Sequence, residues 1–357
     1  MKEYQRRQAG FSLIELMIGL TIGLIILLGV VMVYISSIRS QTTSESLARV
    51  QESGRFASYF MAREVRQAGY IGSCPGNVNN LLNQGNGHYV DALFNLDSPI
   101  QGWANEAGDL SGHLPDYLRG DVLLIKHAAR SSHLKATAGA GANAAAIPIE
   151  GDDSLVPQGS IILISDAYGC DLFQRANSGG NSNKGALSRG SGGTPGNIPP
   201  STPWSHDYQD DVEINRLTAV VFYIGQGLRG QPALKQYFVN PAAGSKKTPL
   251  GRDTVLVEGV EDMRLRFGVD ADGNGAVDAG VDAYLPADKV TDWSQVVTVQ
   301  ISVLARSPGN AQQGASQALN WPFDSDEDGT LDPVAAASDG SLRSVFSTTV
   351  AIRNRLP

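Results

Sequence analysis

The feature that most constrains this chain is an apolar run near its beginning. Between Phe11 and Ile35 the only charged side chain is Glu15, and no proline interrupts the run. About 20 apolar residues are enough to cross a bilayer as a helix. Three basic residues precede the run, namely Lys2, Arg6 and Arg7. Since basic residues tend to stay on the cytoplasmic side, the sequence predicts one membrane-spanning helix with the bulk of the chain outside the cytoplasm.

An ordinary signal peptide or signal anchor explains this segment less well. The run is longer than the usual hydrophobic region of about 7–15 residues, and no small-x-small cleavage site follows it. Glu15 is also unexpected, since an unpaired carboxylate at the centre of a spanning helix costs about 2.5–3.5 kcal/mol. We therefore expect Glu15 to have a functional role and a partner.

The residues around Glu15 point to a known family. Gly10 is followed by Phe-Ser-Leu-Ile-Glu, and this segment resembles the class III signal of type IV pilins and pseudopilins. The resemblance implies that a membrane enzyme, the prepilin peptidase, cuts between Gly10 and Phe11, removes a leader of residues 1–10 and methylates the new N-terminus. It also implies that Glu15 faces the α-amine of Phe11 from a neighbouring subunit, where the two charges offset each other's desolvation in the filament core.

After the apolar run the pattern stays helical but becomes amphipathic over residues 36–69. Small or apolar residues recur there at steps of three and four, which places them on one face: Leu47, Val50, Gly54, Ala57, Met61, Val65 and Ala68. The sequence thus predicts one helix from about Phe11 to Ala68, on the order of 85 Å long, with residues 11–35 in the membrane or filament core. Many pilins carry a proline midway along the apolar part, but Met32 stands here, so a local break in the helix stays open.

The rest of the chain, residues 70–357, contains short apolar runs typical of strands. No long helical pattern separates them, which favours an antiparallel sheet over parallel βαβ units. The predicted fold class is therefore α+β: a pilin fold in which a long N-terminal helix, half of it transmembrane, packs on an antiparallel β-sheet with long loops. The predicted strands are Asp121–His127, Ile161–Ser165, Arg216–Ile224, Thr254–Val257, Met263–Phe267, Val296–Leu304 and Val345–Ile352.

Residues 177–205 form the most polar and flexible stretch of the chain by composition. They are rich in Gly, Ser, Asn and Pro, and a segment of this kind is not expected to bury a core. The sequence therefore predicts a mobile surface loop here. Trp204 lies at the end of this loop and is a candidate for contact with a ligand or a partner.

Runs in the second half of the chain narrow the family. They are Val257–Arg264 with Phe267–Asp270, Trp293–Val297, Arg343–Phe346 and Thr348–Asn354, and together with the start of the chain they resemble the PilW-type minor pilins of type IV pili. The resemblance implies a subunit that joins other minor pilins and the major pilin, primes filament assembly, sits at or near the tip and carries a large adhesin. It also implies a single-pass protein of the bacterial inner membrane, with its C-terminal domain first in the periplasm and later in the filament at the cell surface.

Two other functions stay open at this point. A J-type pseudopilin of a type II secretion system would have the same start and a similar sheet. A pilus-associated adhesin could bind a host ligand or DNA through residues 177–205. The net charge of −8, which moves to −10 once Lys2, Glu3, Arg6 and Arg7 are removed, argues against nucleic acid as a partner. The sequence contains none of the common hydrolase, nucleotide-binding or metalloprotease motifs, so no enzyme activity is expected.

The chain has two cysteines, Cys74 and Cys170. If the domain is exported, an oxidising compartment favours a single disulfide between them. That bond would close a loop of 96 residues and contribute about 4–5 kcal/mol in the chain-entropy account. Two buried free thiols are the alternative.

Two acidic segments have the spacing of a calcium-binding loop. In such loops oxygen ligands fall at positions 1, 3, 5, 7 and 9, and a glycine at position 6 permits the sharp turn. The first segment offers Asp270, Asp272, Asn274, the carbonyl of Ala276, and Asp278. The second segment offers Asp324, Asp326, Asp328, the carbonyl of Thr330, and Asp332.

Neither segment is a complete EF-hand. Val281 and Ala335 stand at position 12, where an EF-hand carries a glutamate, and no helices are predicted on either side. Asp282 and Asp339 are candidates to complete the two shells from nearby positions. The sequence therefore predicts up to two structural calcium sites, and a solvated acidic turn is the alternative for each.

Overall fold

The computed structural model describes residues 10–130, 134–137, 139–151, 156–177, 184–209, 211–239, 251–278, 282–309, 317–325, 328–335, 337 and 339–355. Over these residues the regular structure consists of one long helix, one short helix, fifteen strands and a few 3-10 turns. The predicted leader lies outside the described residues except for Gly10.

The long helix, α1 (Leu13–Val65), is continuous. Ser12 is its N-cap residue and Arg66 is its C-cap residue, so the helix is slightly shorter at both ends than the sequence predicted. Gly69, with a φ of +75°, follows and turns the chain away from the helix axis. The helix passes through Met32 without a break. The local break that the sequence left open is therefore not present in α1.

The two halves of α1 differ in burial. Its apolar first half contains an 18-residue window with a mean hydropathy of 2.9 and no buried residue. By length and composition, this is the one helix in the described part of the chain that could span a membrane. The second half buries a stripe of residues: Ser46, Val50, Gly54, Ala57, Met61, Ala62 and Val65.

The strands follow in chain order, with α2 (Asp91–Phe94) between the first two. They are β1 (Asn79–Asn80), β2 (Ile100–Trp103), β3 (Tyr117–Arg130), β4 (Leu134–Ala136), β5 (Ala146–Gly151), β6 (Ile161–Ser165), β7 (Cys170–Gln174), β8 (Lys184–Ser188), β9 (Glu213–Gln226), β10 (Pro232–Val239), β11 (Arg252–Glu258), β12 (Val260–Val269), β13 (Ala283–Leu285), β14 (Val296–Arg306) and β15 (Arg343–Ala351). Each of the seven predicted strands is present, within a few residues of its predicted bounds.

The described strands form three sheets rather than the single sheet that the sequence suggested. The largest has eight strands in the order β1-β7-β6-β9-β10-β11, with β3 paired to β9 and β2 paired to β3. The second runs β13-β12-β14-β15, and the third runs β4-β5-β8. The pairing is antiparallel except between β1 and β7, as the absence of crossover helices predicted.

The main core lies where α1 meets two of these sheets. The buried stripe of α1 packs mainly on β14 and β15, and one face of the eight-stranded sheet closes the other side of this core. In β9, Val220 and Phe222 face this core, whereas Val221 and Tyr223 face a second core on the opposite side of the sheet. Because both of its faces are buried, β9 is a continuous apolar run rather than an alternating one.

The prediction of an open surface loop over residues 177–205 is wrong for its described part. β8 lies within this stretch and pairs with β5 to form the third sheet. Trp204 is only 2% exposed, packs edge-on against Phe173, and donates from Nε1 to the Ala144 carbonyl at 2.8 Å. Trp204 is therefore a core residue and is not free to contact a partner.

Side chains make the burial of this stretch possible. The Arg189 guanidinium is 1% exposed and donates to the carbonyls of Ala144, Pro200 and Thr202. Asn197 accepts from the Gln174 backbone N–H and donates back to the Gln174 carbonyl, both at 2.7 Å. A buried loop needs partners for its backbone groups, and these side chains supply them.

Candidate functional site

The Gly10–Phe11 bond lies just before the first turn of α1. Gly10, Phe11 and Ser12 precede the helix, and Gly10 and Phe11 are both exposed, Phe11 to 88%. Exposed backbone outside regular structure is where peptidases act most readily. The geometry is therefore compatible with cleavage at this bond, which stays a prediction.

Glu15 has a partner in its own helix that the sequence reasoning missed. Ser12 Oγ accepts from the Ile14 backbone N–H at 3.4 Å, and Glu15 Oε2 accepts from the Ser12 backbone N–H at 3.1 Å. This capping box satisfies N–H groups that have no partner within a helix start. Its S-x-x-E signature, Ser12 to Glu15, was present in the sequence. Among the described residues Glu15 Oε1 makes no hydrogen bond, so one carboxylate oxygen is left for a second donor.

Cys74 and Cys170 form a disulfide; their Cα atoms are 5.4 Å apart, and the two residues are separated by 96 positions in the sequence. Cys170 begins β7, and Cys74 lies in the segment that follows α1. The bond therefore ties the chain just after the helix to a strand near one end of the eight-stranded sheet. The alternative of two free thiols is therefore wrong, because both sulfur atoms belong to the disulfide.

The first acidic loop folds around Asp270. Asp270 Oδ2 accepts from Gly275 N at 2.8 Å, and Oδ1 accepts from Gly273 N at 2.7 Å and Asn274 N at 3.2 Å. These backbone donors, with that of Gly275 foremost, hold the pKa of Asp270 below its usual value. Gly273 and Gly275 have φ values of +77° and +84°, which a residue with a side chain rarely adopts.

Three carboxylates converge at this loop: Asp270, Asp272 and Asp282. One oxygen from each lies within 4.8 Å of the others, a separation that suits shared coordination of a hard cation. Asp282 also accepts from Ala271 N and Asp278 N, each at 2.8 Å. Asp282 therefore joins the loop, as the sequence suggested for one of its two extra candidates.

The other predicted ligands of the first loop are arranged differently. The Asn274 side-chain nitrogen donates to Asp278 Oδ2 at 2.8 Å and to Asp272 Oδ2 at 3.2 Å, while its oxygen accepts from Ala276 N at 2.8 Å. The amide thus turns its donors toward the carboxylates. To act as a ligand, the Asn274 oxygen would have to turn inward. Val281, at position 12, lies outside the described residues.

The second acidic loop repeats the same internal hydrogen bonds. Asp324 Oδ2 accepts from Gly329 N at 2.7 Å, and Asp324 Oδ1 accepts from Asp328 N at 3.3 Å. Asp328 Oδ1 accepts from the Thr330 backbone at 2.8 Å, as Asn274 Oδ1 does from Ala276. Asp332 Oδ1 accepts from Ser325 N at 2.8 Å. Asp326 lies outside the described residues.

Asp339 does not complete the second loop, so that expectation is wrong. Arg343 donates to both of its oxygens, at 2.7 and 2.8 Å, and Arg306 lies 3.4 Å away. The hydrogen bonds from Arg343 lower the pKa of Asp339. Arg343 also binds Glu261 at 2.7 Å, so Asp339 belongs to a separate ion-pair network at the start of β15.

One further cluster brings together residues that are distant in sequence. His206 Nδ1 lies 2.9 Å from Ser205 Oγ, and His206 Nε2 lies 2.8 Å from Asp166 Oδ2. However, the Ser205 hydroxyl also donates to Asp171 Oδ2 at 2.7 Å, and Asp171 is fully buried. The cluster therefore anchors the segment after Trp204 to β7, and its serine already has an acceptor.

Comparisons with known proteins support the resemblances found at the start of the chain and in its second half. The family described as "Type IV Pilus-assembly protein W" matches residues 221–354, from the middle of β9 to just beyond β15, and the prokaryotic N-terminal methylation motif matches residues 5–31. Among solved structures, the type IV-like pilin TTHA1219 from Thermus thermophilus is similar over 87% of this chain and 99% of its own, at 13% identity and a TM-score of 0.35. No curated protein matches the chain.

Proposed function

We propose that the chain is a PilW-type minor pilin of the type IV pilus, that it primes assembly of the filament, and that it sits at or near the filament tip. The matches to the PilW family over residues 221–354 and to the methylation motif over residues 5–31 support this proposal. It would act with other minor pilins and the major pilin, and would support a large tip adhesin. Prepilin peptidase would process it between Gly10 and Phe11. Residues 70–357 would lie in the periplasm before assembly and at the cell surface afterwards.

The observation that carries this proposal is the unburied first half of α1. Its large apolar side chains are between 43% and 88% exposed, and apolar surface contributes roughly 25 cal/mol per Å² when it is removed from water. A single subunit that leaves the bilayer loses that contribution, and the first subunits of a filament have few neighbours to restore it. A small complex that brings several such helices together would therefore lower the free energy of starting a filament.

Glu15 would set the alignment of these helices. After cleavage, the α-amine of Phe11 would carry a positive charge, and Glu15 Oε1 has no hydrogen-bond partner among the described residues. In a core of apolar helices an unpaired charge is costly, so a neighbouring amine would be drawn to this oxygen. We expect Glu15→Gln to be cleaved normally but to fail in assembly. Glu52→Gln, at an exposed position on the second half of α1, is the matched control and should assemble as the wild type does.

The decisive experiment counts surface pili and measures type II secretion in a strain that lacks this gene. We expect pili to be lost and secretion to be intact, with pili restored by the wild-type chain and by Glu52→Gln only. Normal pili with failed secretion would instead make the chain a J-type pseudopilin. Normal pili with normal secretion and reduced attachment would favour the adhesin function.

We also propose that the two acidic loops bind calcium as structural sites. The convergence of Asp270, Asp272 and Asp282 supports the first site, and the shared pattern of backbone hydrogen bonds around Asp324 supports the second. Mutual repulsion among carboxylates this close would be relieved by a divalent cation. Asp282 takes the place of the missing ligand at position 12 in the first loop.

Calcium binding is tested by the thermal unfolding of the whole chain in detergent micelles. Calcium at about 100 times its Kd should stabilise the fold by about 2.7 kcal/mol per site, so the melting temperature should rise relative to chelator. Asp270→Asn should reduce this rise, whereas Asp109→Asn, outside both loops, should leave it unchanged. Equal melting temperatures in calcium and chelator would contradict the proposal without affecting the role in pilus assembly.

A further inference from the structure

A cleft on the surface of the second sheet lies away from the helix and borders the second acidic loop at Ser325 and Asp332. It has a volume of about 530 Å³, within the range of small-molecule sites, roughly 300–1,000 Å³. Residues 264–266 of β12 and Asp121 of β3 line it. The other lining residues are Ala104, Asn105, Pro286, Asp288, Lys289, Trp321, Phe323, Ser325, Asp332 and Pro333. The first half of α1, where assembly is proposed, contributes no residue to it.

One side of the cleft is aromatic and held in place by arginines. The rings of Trp321 and Phe323 are nearly parallel, with an interplanar angle of 8° and centroids 6.1 Å apart. The Arg264 guanidinium lies 5.9 Å from the Trp321 centroid, and that of Arg266 lies 4.6 Å from the Phe323 centroid. Such cation–π contacts stabilise the ring positions. The cleft therefore has a fixed apolar side that is formed by the half-buried Phe323 ring, whereas Trp321 is only 5% exposed and packs with Leu304 and Val334.

Polar groups along the cleft are only partly paired. Arg264 Nη2 donates to Asp262 Oδ2 at 3.4 Å, whereas Nη1 lies 3.8 Å from Asp121 Oδ1, beyond hydrogen-bonding distance, and the buried Nε has no hydrogen bond. Asp288 and Lys289 are exposed, and within the described residues neither side chain forms an ion pair or a hydrogen bond. The Arg264 side chain is 28% exposed, and a charged donor without a close acceptor is costly, so a ligand oxygen that accepts from Arg264 Nη1 would be favoured.

The charges that line the cleft balance one another. Three carboxylates and three basic groups contribute, namely Asp121, Asp288, Asp332, Arg264, Arg266 and Lys289. A site for an anion or a cation would carry an excess of the opposite charge. The balance favours a neutral ligand that both donates and accepts hydrogen bonds and has an apolar face.

We propose that this cleft binds a neutral sugar unit of a glycan. The C–H face of a pyranose ring would lie along the aromatic side, and its hydroxyls would accept from Arg264 and Lys289 and donate to Asp288. Neighbouring hydroxyls on one ring can do both without bringing a charge into the cleft. The inference rests on the cleft alone and holds whichever position the subunit takes in a pilus.

The test is direct titration of the full-length chain in a detergent without a sugar headgroup. The probes are lactose, cellobiose and N,N′-diacetylchitobiose, each followed by calorimetry and by saturation-transfer NMR. We expect at least one of them to bind saturably. Lys289→Met and Asp288→Asn should each weaken that binding about tenfold, the equivalent of a hydrogen bond to a charged group.

Control variants keep the outcome unambiguous. Lys135→Met and Asp109→Asn make the same chemical changes outside the cleft and should bind as the wild type does. No saturable binding by any of the three disaccharides, or equal binding by the Lys289 and Asp288 variants, would overturn the proposal. Preference for a sulfated disaccharide would overturn the neutral-ligand assignment. Binding of a proline-rich decapeptide alone, lost in the same variants, would replace the sugar with a peptide.

Discussion

The two halves of α1 belong to one unbroken helix but are built for different surroundings. In the first half, apolar side chains face every direction and none is buried, whereas in the second half small and apolar residues form one stripe against the sheets. A helix that is apolar all round needs lipid or other helices, while an amphipathic one needs a single packing face. The comparison shows that one rigid element can connect two different environments.

The difference also indicates where substitutions act. In the second half, substitutions change the side chains that pack between the helix and the sheets, so they should change the stability of the β domain. In the first half, side chains can change without any effect on that domain, because nothing in the described part of the chain packs on them. Effects there should be seen in processing, membrane insertion or assembly.

The largest expected effect comes from Met61→Ala. Met61 is fully buried in the core shared by α1 and the sheets, and its truncation should lower the free energy of unfolding by about 2–5 kcal/mol, as such cavities usually do. Denaturant unfolding of the full chain in micelles measures this. Met32→Ala, at a position 69% exposed, should change it by less than about 0.5 kcal/mol. Equal losses in the two variants would contradict the division of α1.

A second substitution tests close packing rather than cavity formation. A Cβ at Gly54 would lie 2.1 Å from Phe346 Cδ2 on β15, so Gly54→Leu must displace that ring. We expect a loss of about 1–3 kcal/mol, typical of overpacking. At Gly23 nothing lies within 4 Å, and Gly23→Leu should leave the melting temperature of the β domain unchanged. A stable Gly54→Leu variant would mean that Phe346 moves aside at little cost.

The stability of the core at the buried half of α1 should depend on pH, since this half ends beside Lys126. Gly69 N donates to the Lys126 carbonyl at 3.0 Å, and Lys126 Nζ is buried and donates to the Ala92 carbonyl at 2.6 Å. Burial lowers the pKa of Lys126 to about 7, against the opposing effect of Asp91 and Asp97. The unfolded chain therefore binds more protons above pH 7, so stability should rise from about pH 7 toward pH 10.

Chemical unfolding at pH 6.5, 8 and 9 measures this slope. Lys126→Met should remove most of the rise, because the folded state then has no buried amine to deprotonate. Lys135→Met, at an exposed position, should keep it. A slope that persists in Lys126→Met would assign the pH dependence to another group.

The smallest expected effect is at the start of the exposed half. Ser12→Ala removes the capping hydroxyl and should cost about 1 kcal/mol of local helix stability. Amide hydrogen exchange over residues 13–16 should accelerate, while the melting temperature of the β domain stays the same. Ser36→Ala, in the middle of α1, should not change exchange at the helix start. A shift in domain melting with Ser12→Ala would contradict the independence of the two halves.

The elements that could be predicted from the sequence are those with strong periodic or continuous apolar patterns. The long helix and strands such as β9 and β14 fall into this group. The short strands β4, β5 and β8 could not be found, since β4 and β8 carry little β-propensity and β5 has only two β-branched residues, Ile147 and Ile149, around a proline. Arg189 and Trp204 hold the loop segments beside these strands. The same two residues explain why a polar stretch that composition assigns to the surface is packed inside.

At the acidic loops the spacing of the ligands could be read from the sequence. Which additional carboxylates lie in each loop could not. Both loops repeat the same turn, because an aspartate at position 1 and a glycine at position 6 define it locally. Which extra carboxylate joins a loop depends on distant neighbours: Asp282 meets Asp270 and Asp272, whereas Asp339 is held by Arg343. Arg343, four residues after Asp339, is the feature of the sequence that could have indicated that Asp339 forms an ion pair instead of joining the loop.

The membrane-compatible first half of α1, the signal around Gly10 and the capping box at Ser12 follow from local sequence, because each depends on residues that are adjacent or one turn apart. The division into three sheets, the burial of Trp204 and the cleft beside Trp321 follow from tertiary packing. These depend on contacts between residues far apart in the chain, where many pairings satisfy the same local pattern and close packing selects among them.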